Sequence, residues 1–341
     1  MTRAEFDYED PVDQTPMLLR VLVAATLFAF IASILVGPSE VGFSELIALY
    51  SDPHVPQSTK QILLEIRLPR ALLGLLVGGS LGLAGAALQG YLRNPLAEPG
   101  LIGVSASASL GAVLTIHTGL FGLFAMALPL GGILGAIVAV LLIQMLSAGG
   151  GTLHLILAGI AISSFASALT SLALNLAPDP FAAIEMMFWM MGSLSDRSFE
   201  HLQLVWPFML GGWGLLLCTG SALDALTLGE DTAMTLGIAL NRVRSKLILG
   251  VALSVGAATA VTGSIAFVGL VVPHLLRPCV AYRPSALLLA STLGGACLTL
   301  VADIGVRLLS PGPELKLGVL TALAGAPFFL LLILKTRHEG Q

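Results

Sequence analysis

Residues 67–105, RLPRALLGLLVGGSLGLAGAALQGYLRNPLAEPGLIGVS, decide how the rest of the chain is read. Arg67 and Arg70 bracket a proline at the mouth of an apolar run. Gly74, Gly78, Gly82 and Ala86 then recur at every fourth position, so one side of a helix here is close to bare backbone. Such a stripe lets two helices approach closely where lipid supplies no hydrophobic drive between them. The run ends in a polar stretch broken twice by proline, Asn94-Pro95 and Glu98-Pro99-Gly100. A close-packing membrane helix with charge at one end and an irregular break at the other points to transport.

The composition agrees. The chain has 341 residues, of which 56% are hydrophobic and only 11% charged, with mean hydropathy +0.94; soluble chains carry roughly 25% charged residues. Apolar runs of about 20 residues, the length that crosses a ~30 Å hydrocarbon core, recur throughout. Charges lie between the runs, as in a polytopic α-helical membrane protein. Helices follow because lipid offers no partner to backbone N–H and C=O groups. The alternating ten-residue segments of a β-barrel are missing. Cys218, Cys279 and Cys297 have no paired spacing and read as buried free thiols. The start of the chain is acidic (Glu5, Asp7, Glu9, Asp10, Asp13), which predicts a cytosolic tail over residues 1–16 rather than a cleaved leader.

Apolar segments run over about 17–37, 68–92, 98–118, 120–147, 152–176, 202–220, 243–263, 265–281, 285–309 and 316–335, which predicts ten crossings within one permease domain, 17–335, and a cytosolic tail at 336–341. Arg20, Arg93, Arg242, Arg244, Lys246, Lys335 and Arg337 then fall on one side, which places both termini in the cytosol. Arg67 and Arg70 fall on the other side, against the charge bias, and are candidates for a function. Outer stretches are expected at 38–66 and 177–201, the second with a short Met- and Trp-rich surface helix. The inner stretch 221–241 is too polar to span. Asp224 and Glu230-Asp231 can cap or open short helices there, and Gly229 and Gly237 can end them, which predicts a helix pair. Two Gly/Pro breaks, NPLAEPGLIG and GSIAFVGLVVPH, follow small-residue helices in the two halves, a weak sign of duplication.

The glycine ladder has two readings, packing within the subunit or lining of a translocation path, and both stay open. Glu98 reads as a capping carboxylate at a helix start rather than an ion site. Asp303 and Arg307, four apart, read as an interfacial ion pair, and Arg307 completes a three-arginine outer patch suited to a partner's carboxylates. His117, His154 and His274 read as structural. There is no GxxxxGK[ST], no HExxH and no chain of buried carboxylates, which speaks against ATP hydrolysis by this chain, zinc peptidase chemistry and a proton- or sodium-coupled carrier. Ser105 has no placed histidine, so no catalytic residue and no metal site is assigned.

Three blocks carry a resemblance: residues 67–105 above; LDALTLGEDTAMTLGI from Leu223; and GSIAFVGLVVPHLLR from Gly263, continuing through ADIGVRLL and GVLTALAGAPFFLLLI. From about Ile66 to Lys335 the chain resembles the permease subunits of type II ABC importers for iron-siderophores, haem and vitamin B12. The resemblance implies an all-α homodimer in the bacterial inner membrane, with a path on the two-fold axis. Two cytosolic ATPase subunits would hold the ATP and Mg, a periplasmic binding protein would deliver the cargo, and the chain itself would bind no cofactor and no nucleic acid. It implies that Arg67, Arg70 and Arg307 receive carboxylates of the binding protein. It implies that Leu223, Asp224, Leu226, Leu228, Gly229, Glu230, Ala233, Leu236 and Gly237 form the coupling helices on the ATPase. An iron(III)-siderophore is the expected cargo, with haem or vitamin B12 as alternatives. An ion-coupled secondary carrier is the remote one. The chain departs from the family pattern in two places: Ala281-Tyr282-Arg283-Pro284 stands where Gly-x-Asp-His is common, and Glu314-Leu315-Lys316-Leu317-Gly318 where Glu-Leu-Pro-Val-Gly is common.

Overall fold

The computed structural model describes residues 15–39, 41–51, 55–124, 126–147, 150–309 and 315–339. Residues 1–14 of the first expected tail, 340–341 of the second, and Glu314 lie outside these. Among the described residues every regular element is helical. In chain order they are α1 (Thr15–Leu35), α2 (Phe43–Ser51), α3 (Gln57–Lys60), α4 (Leu68–Tyr91), α5 (Val104–His117), α6 (Ala127–Ser147), α7 (Thr152–Asn175), α8 (Pro180–Met190), α9 (Phe199–Leu217), α10 (Gly220–Leu226), α11 (Glu230–Thr235), α12 (Leu240–Val251), α13 (Ala257–Thr262), α14 (Val268–Leu276), α15 (Pro284–Leu309) and α16 (Leu317–Glu339). A π-helical segment at Gln61–Arg67 joins α3 to α4, and another at Ala252–Gly256 joins α12 to α13.

Six of these helical stretches are long and apolar enough to cross a membrane, or seven if the bent pair α9–α10 counts as one span. The expected tenfold count is not reached on length. Within 265–281 the α-helix is short: α14 has nine residues, about 13 Å at 1.5 Å per residue, and a single 3-10 turn follows at Pro278–Val280. Residues 263–266 are not helical, and Phe267 enters α14 with φ 68°. Irregular backbone at membrane depth is stable only where protein surrounds it or it lines a cavity; of this stretch Gly263 and Ile265 are buried and Ser264 is exposed.

Helix α4 is the centre of the bundle and is buried along most of its length. Pro69 lies where the π-helical segment runs into α4. Its ladder faces α15. A Cβ on Gly78 would collide with Gly295 O and Thr299, and one on Gly82 with Ser291 O. Gly74 lies against Leu300, at 3.1 Å from where its Cβ would sit. A second face carries Gly85, against the backbone of Gly269 in α14. On a third, Trp213 of α9 donates from Nε1 to Ser80 Oγ at 2.8 Å. The small residues thus lie inside the subunit, pressed against α15. A second such crossing, Gly111 and Ser107 of α5 against Gly131 and Gly135 of α6, was not singled out in the sequence.

The two breaks meet. Glu98 Oε1 accepts the Phe267 N–H at 2.8 Å, and Pro99 packs on Gly269. Gln89 Nε2 donates to Ala97 O, Gly269 O and Leu270 O at 3.3–3.5 Å, while Arg277 Nη2 donates to Gln89 Oε1 at 2.6 Å. The Met/Trp-rich stretch forms α8. Asp179 caps it by accepting the Ala182 N–H at 2.9 Å, and Met186 is wholly buried in a small cluster with Val113 and Ile116. The thiols are free, but Cys218 and Cys279 are exposed rather than buried. His117 Nδ1 meets Ala173 O at 3.1 Å, and the His274 ring stands edge-on to Phe328.

Candidate functional site

The antiparallel pair α4 and α15 defines two ends of the molecule, and the candidate residues gather at both. At one end lie the three arginines. Arg67 closes the first π-helical segment and is 4% exposed. Its Nη1 donates to Ile34 O, Leu35 O and Val41 O at 2.8–3.0 Å, and its Nη2 to Ser39 O and Ser39 Oγ at 3.1 and 2.7 Å. The guanidinium therefore fastens the end of α1 and the turn after it to the start of α4. Arg70 grips Asp303 bidentately, with Nε at 3.0 Å from both oxygens and Nη2 at 2.8 Å from Oδ1. Arg307, one turn on from Asp303, holds its Oδ2 at 3.1 Å and donates from Nη1 to Ser33 O and Val36 O at 2.8 and 2.6 Å.

The expected ion pair of Asp303 and Arg307 is present, and Arg70 is its third member, 233 residues away in sequence. The expected exposed basic patch is not what the geometry gives. The side chains of Arg70, Asp303 and Arg307 are 12%, 1% and 5% exposed. The three arginines do come together at one end, but they turn inward. The physical reason is the cost of an uncompensated buried charge, several kcal/mol, which Asp303 and the carbonyls at the end of α1 offset. Arg197, in the loop before α9, was missed; its Nε is buried without a hydrogen-bond partner, and burial pulls its pKa down.

At the other end α10 and α11 form the helix pair expected at 221–241. Gly229 (φ 105°) opens α11 and Gly237 (φ 85°) follows it, both in conformations that disfavour side chains. The pair has two faces. Leu223, Leu226 and Ala233 are 0–1% exposed and belong to the core, so they anchor the pair rather than form its outer surface. Leu228, Met234 and Leu236 are 65%, 52% and 61% exposed; Met234 was not singled out in the sequence. Asp224 does not cap its own helix. Its Oδ1 accepts the Ser285 N–H at 2.8 Å, at the start of α15. Glu230 Oε1 accepts from Thr152 Oγ1 at 3.1 Å, at the start of α7, and lies 3.6 Å from Arg93 Nη2, just past α4.

A cavity of about 630 Å³ lies on the flank between α5, α6 and α7. Its lining (Leu110, Leu114, Leu134, Val138, Phe165, Leu169) offers no charge to a chelate. Among the described residues no group of three His, Cys, Asp or Glu side chains is placed to hold a metal ion.

A bundle centred on two interlocked small-residue helices, with an arginine cluster at one end and a short helix pair with an apolar outer face at the other, is the architecture of a membrane-embedded ABC importer permease. A solved metal-chelate type ABC transporter in an inward-facing conformation superposes with a TM-score of 0.83 at 32% identity, covering 94% of this chain and 99% of that one. The chain belongs to the FecCD transport family, whose model matches residues 25–335. It is 38% identical over 334 residues to the ferric enterobactin transport system permease protein FepD of Escherichia coli K12, covering 95% of this chain and 96% of the relative. It is 39% identical over 283 residues to the hemin transport system permease protein HmuU of Yersinia pestis, with 82% and 84% covered.

Proposed function

We propose that this chain, as a homodimer in the bacterial inner membrane, passes an iron(III)-siderophore or a related metal chelate from a binding protein at the arginine end to the cytosol at the α10–α11 end. ATP and Mg belong to two partner ATPase subunits that receive Leu228, Met234 and Leu236, and both termini are cytosolic. The observation that carries the reading is the helix pair: one face is locked into the core, and the other shows three large apolar side chains at the end where the basic residues Arg93, Arg242 and Lys246 also gather in sequence. Exposed apolar side chains at a polar end of a membrane protein mark a contact surface. The metal-chelate structure and the enterobactin and hemin relatives support the cargo class.

The binding protein is assigned to the arginine end. The cluster there sets Arg67, Arg70 and Arg307 against Asp303, a local excess of positive charge within outer stretches that are otherwise rich in acidic residues. Because Asp303 already sits between two of the arginines, a partner's carboxylates meet a partly neutralised cluster, and attraction over the rim steers docking. The test is a reconstituted complex with its ATPase and binding protein. ATP-driven uptake of a ferric siderophore, and docking that weakens between low and high salt, is the expected result. Uptake driven by an ion gradient without nucleotide would overturn the reading, and uptake of a corrinoid instead would overturn the cargo.

A further inference from the structure

A cavity of about 240 Å³ opens where α4 and α14 finish and α15 begins. Gln89, Arg93, Thr227, Arg277, Tyr282 and Leu287 line it, and among the described residues no carboxylate does. Its two arginines differ from those at the other end of the molecule. Arg277 is partly buried, and its Nη2 donates at 2.6 Å to Gln89 Oε1, a neutral acceptor. Gln89 is itself held through Nε2 by the carbonyls of Ala97, Gly269 and Leu270, so the guanidinium is aimed but not neutralised. Among the described residues Arg277 pairs with no carboxylate, and its Nε and Nη1 make no hydrogen bond. Arg93 Nη2 lies 3.6 Å from Glu230 Oε1, too far for a hydrogen bond. Asp224 is engaged on the Ser285 N–H. The sequence offers no other countercharge: from Thr232 to Ala302 there is no Asp or Glu, but there are five basic residues, Arg242, Arg244, Lys246, Arg277 and Arg283. Arg283 stands where the family pattern has an acid, so this chain adds a cation six residues from Arg277 instead of an anion. Backbone strain gathers here too. Of the five described non-glycine residues with positive φ, Arg93 (48°) and Tyr282 (60°) line the cavity and Ala281 (49°) adjoins it; such residues concentrate at ligand clamps.

We propose that this cavity is a phosphate site, in which Arg93 and Arg277 clamp the phosphate of an anionic lipid headgroup or a free phosphate ion. A partly desolvated cation without a countercharge is costly to the fold, and an anion entering from outside offsets that cost. Phosphate suits these donors. Its oxygens accept several N–H groups at once, and the planar guanidinium fork matches their spacing. Gln89 fixes that fork in place before the ligand arrives, so little rotamer freedom is lost on binding. Basic pockets between membrane helices take anionic headgroups. Tyr282, 67% exposed, supplies the kind of aromatic ring that rests at headgroup level. A phosphate held there ties the end of α4 to the end of α14 and the start of α15. The site needs only that this end lie at a membrane surface, and it holds whatever the cargo.

The test uses the full-length chain in two settings. One is nanodiscs of phosphatidylcholine with or without phosphatidylglycerol. The other is detergent, with inorganic phosphate set against sodium chloride of equal ionic strength. Thermal unfolding and native mass spectrometry read binding. The expected result is a higher unfolding temperature, with the probe retained, for at least one of the two probes. A response to phosphatidylglycerol alone assigns the lipid source, and a response to inorganic phosphate assigns the free ion. Arg93→Gln removes one arm of the clamp at a half-exposed side chain. Arg277→Lys keeps the charge but loses the fork. Each is expected to weaken the responding probe about tenfold, the weight of one charge-assisted bond. Arg242→Gln, exposed and outside the cavity, is expected to leave binding unchanged. No response of the wild type to either probe overturns the proposal. So does an equal loss in Arg242→Gln, which marks diffuse attraction to basic surface rather than a site. Should Arg277→Lys fold poorly, Arg93→Gln decides alone: unchanged binding in that variant overturns the clamp.

Discussion

Glu98 and Phe267, 169 residues apart, are joined by a 2.8 Å hydrogen bond from the Phe267 N–H to Glu98 Oε1. The bond ties the irregular backbone after α4 to the irregular backbone before α14, and it places a carboxylate at the positive end of a nine-residue helix. It also explains why a short helix can start deep in the bundle. One of the first N–H groups, which lipid could not satisfy, is met by a side chain from the other break. Glu98 acts as a cap, but of a distant helix rather than of the helix it precedes.

Removing that cap has a defined cost. Glu98→Ala is expected to destabilise the chain by about 0.5–2 kcal/mol, with Glu98→Gln costing less because it keeps an acceptor oxygen. Thermal unfolding in detergent checks this; equal unfolding temperatures for the alanine variant and wild type would contradict it.

The ladder makes a steric prediction. Gly82→Leu puts a side chain against Ser291 O, where even a Cβ collides. The two helices must separate, at about 1–3 kcal/mol or with loss of folded protein. Gly211→Ala in α9 meets open space and is expected to be neutral or slightly stabilising. Folded yield by size-exclusion chromatography distinguishes the pair.

At the arginine end, Asp303→Asn removes the carboxylate between Arg70 and Arg307, and Arg70→Glu sets a like charge beside it. Breaking a buried pair from one side costs about 3–5 kcal/mol, so both variants are expected to lose folded protein. Reversing these arginines therefore disturbs the fold before it reports on docking. Docking should be measured instead by its salt dependence in the wild type. A folded yield of Arg70→Glu equal to wild type would show that the cluster is not structural.

The two faces of the α10–α11 pair should separate by mutation. Leu226→Ala, in the core, is expected to cost about 2–5 kcal/mol. Leu228→Glu with Leu236→Glu, on the exposed face, is expected to leave the unfolding temperature unchanged and to release the ATPase. Co-purification and thermal unfolding, measured side by side, check both.

Ala281 has φ 49° at the position where the family pattern has glycine. A non-glycine residue in this region costs roughly 1–2 kcal/mol. Ala281→Gly relieves that strain but adds unfolded-chain entropy. A net rise in stability of up to about 1 kcal/mol follows, read as a higher unfolding temperature.

Much of this protein was legible in one dimension. Membrane residence, the all-helical class, the close-packing character of α4 and the short pair at 221–241 follow from local properties: apolar run length, glycine spacing and capping residues. The pairing of Asp303 with Arg307 followed from helix periodicity. Partners far apart in sequence did not. No local pattern shows that Asp303 also holds Arg70, that Glu98 caps α14, or that Asp224 turns away from its own helix to the start of α15. The inward turn of Arg67, Arg70 and Arg307 was likewise invisible, because a charge count assigns a side of the membrane but not a direction for a side chain. Which of Leu223, Leu226, Leu228 and Leu236 faces the core was decided by packing against the ends of α4 and α15. The sequence by itself determined which segments must be helices and which of them must pack closely, because those depend on what each residue does to its own backbone. Only the tertiary structure decided which charges are already satisfied and which apolar side chains remain for a partner, because both depend on groups that the chain brings together from hundreds of residues apart.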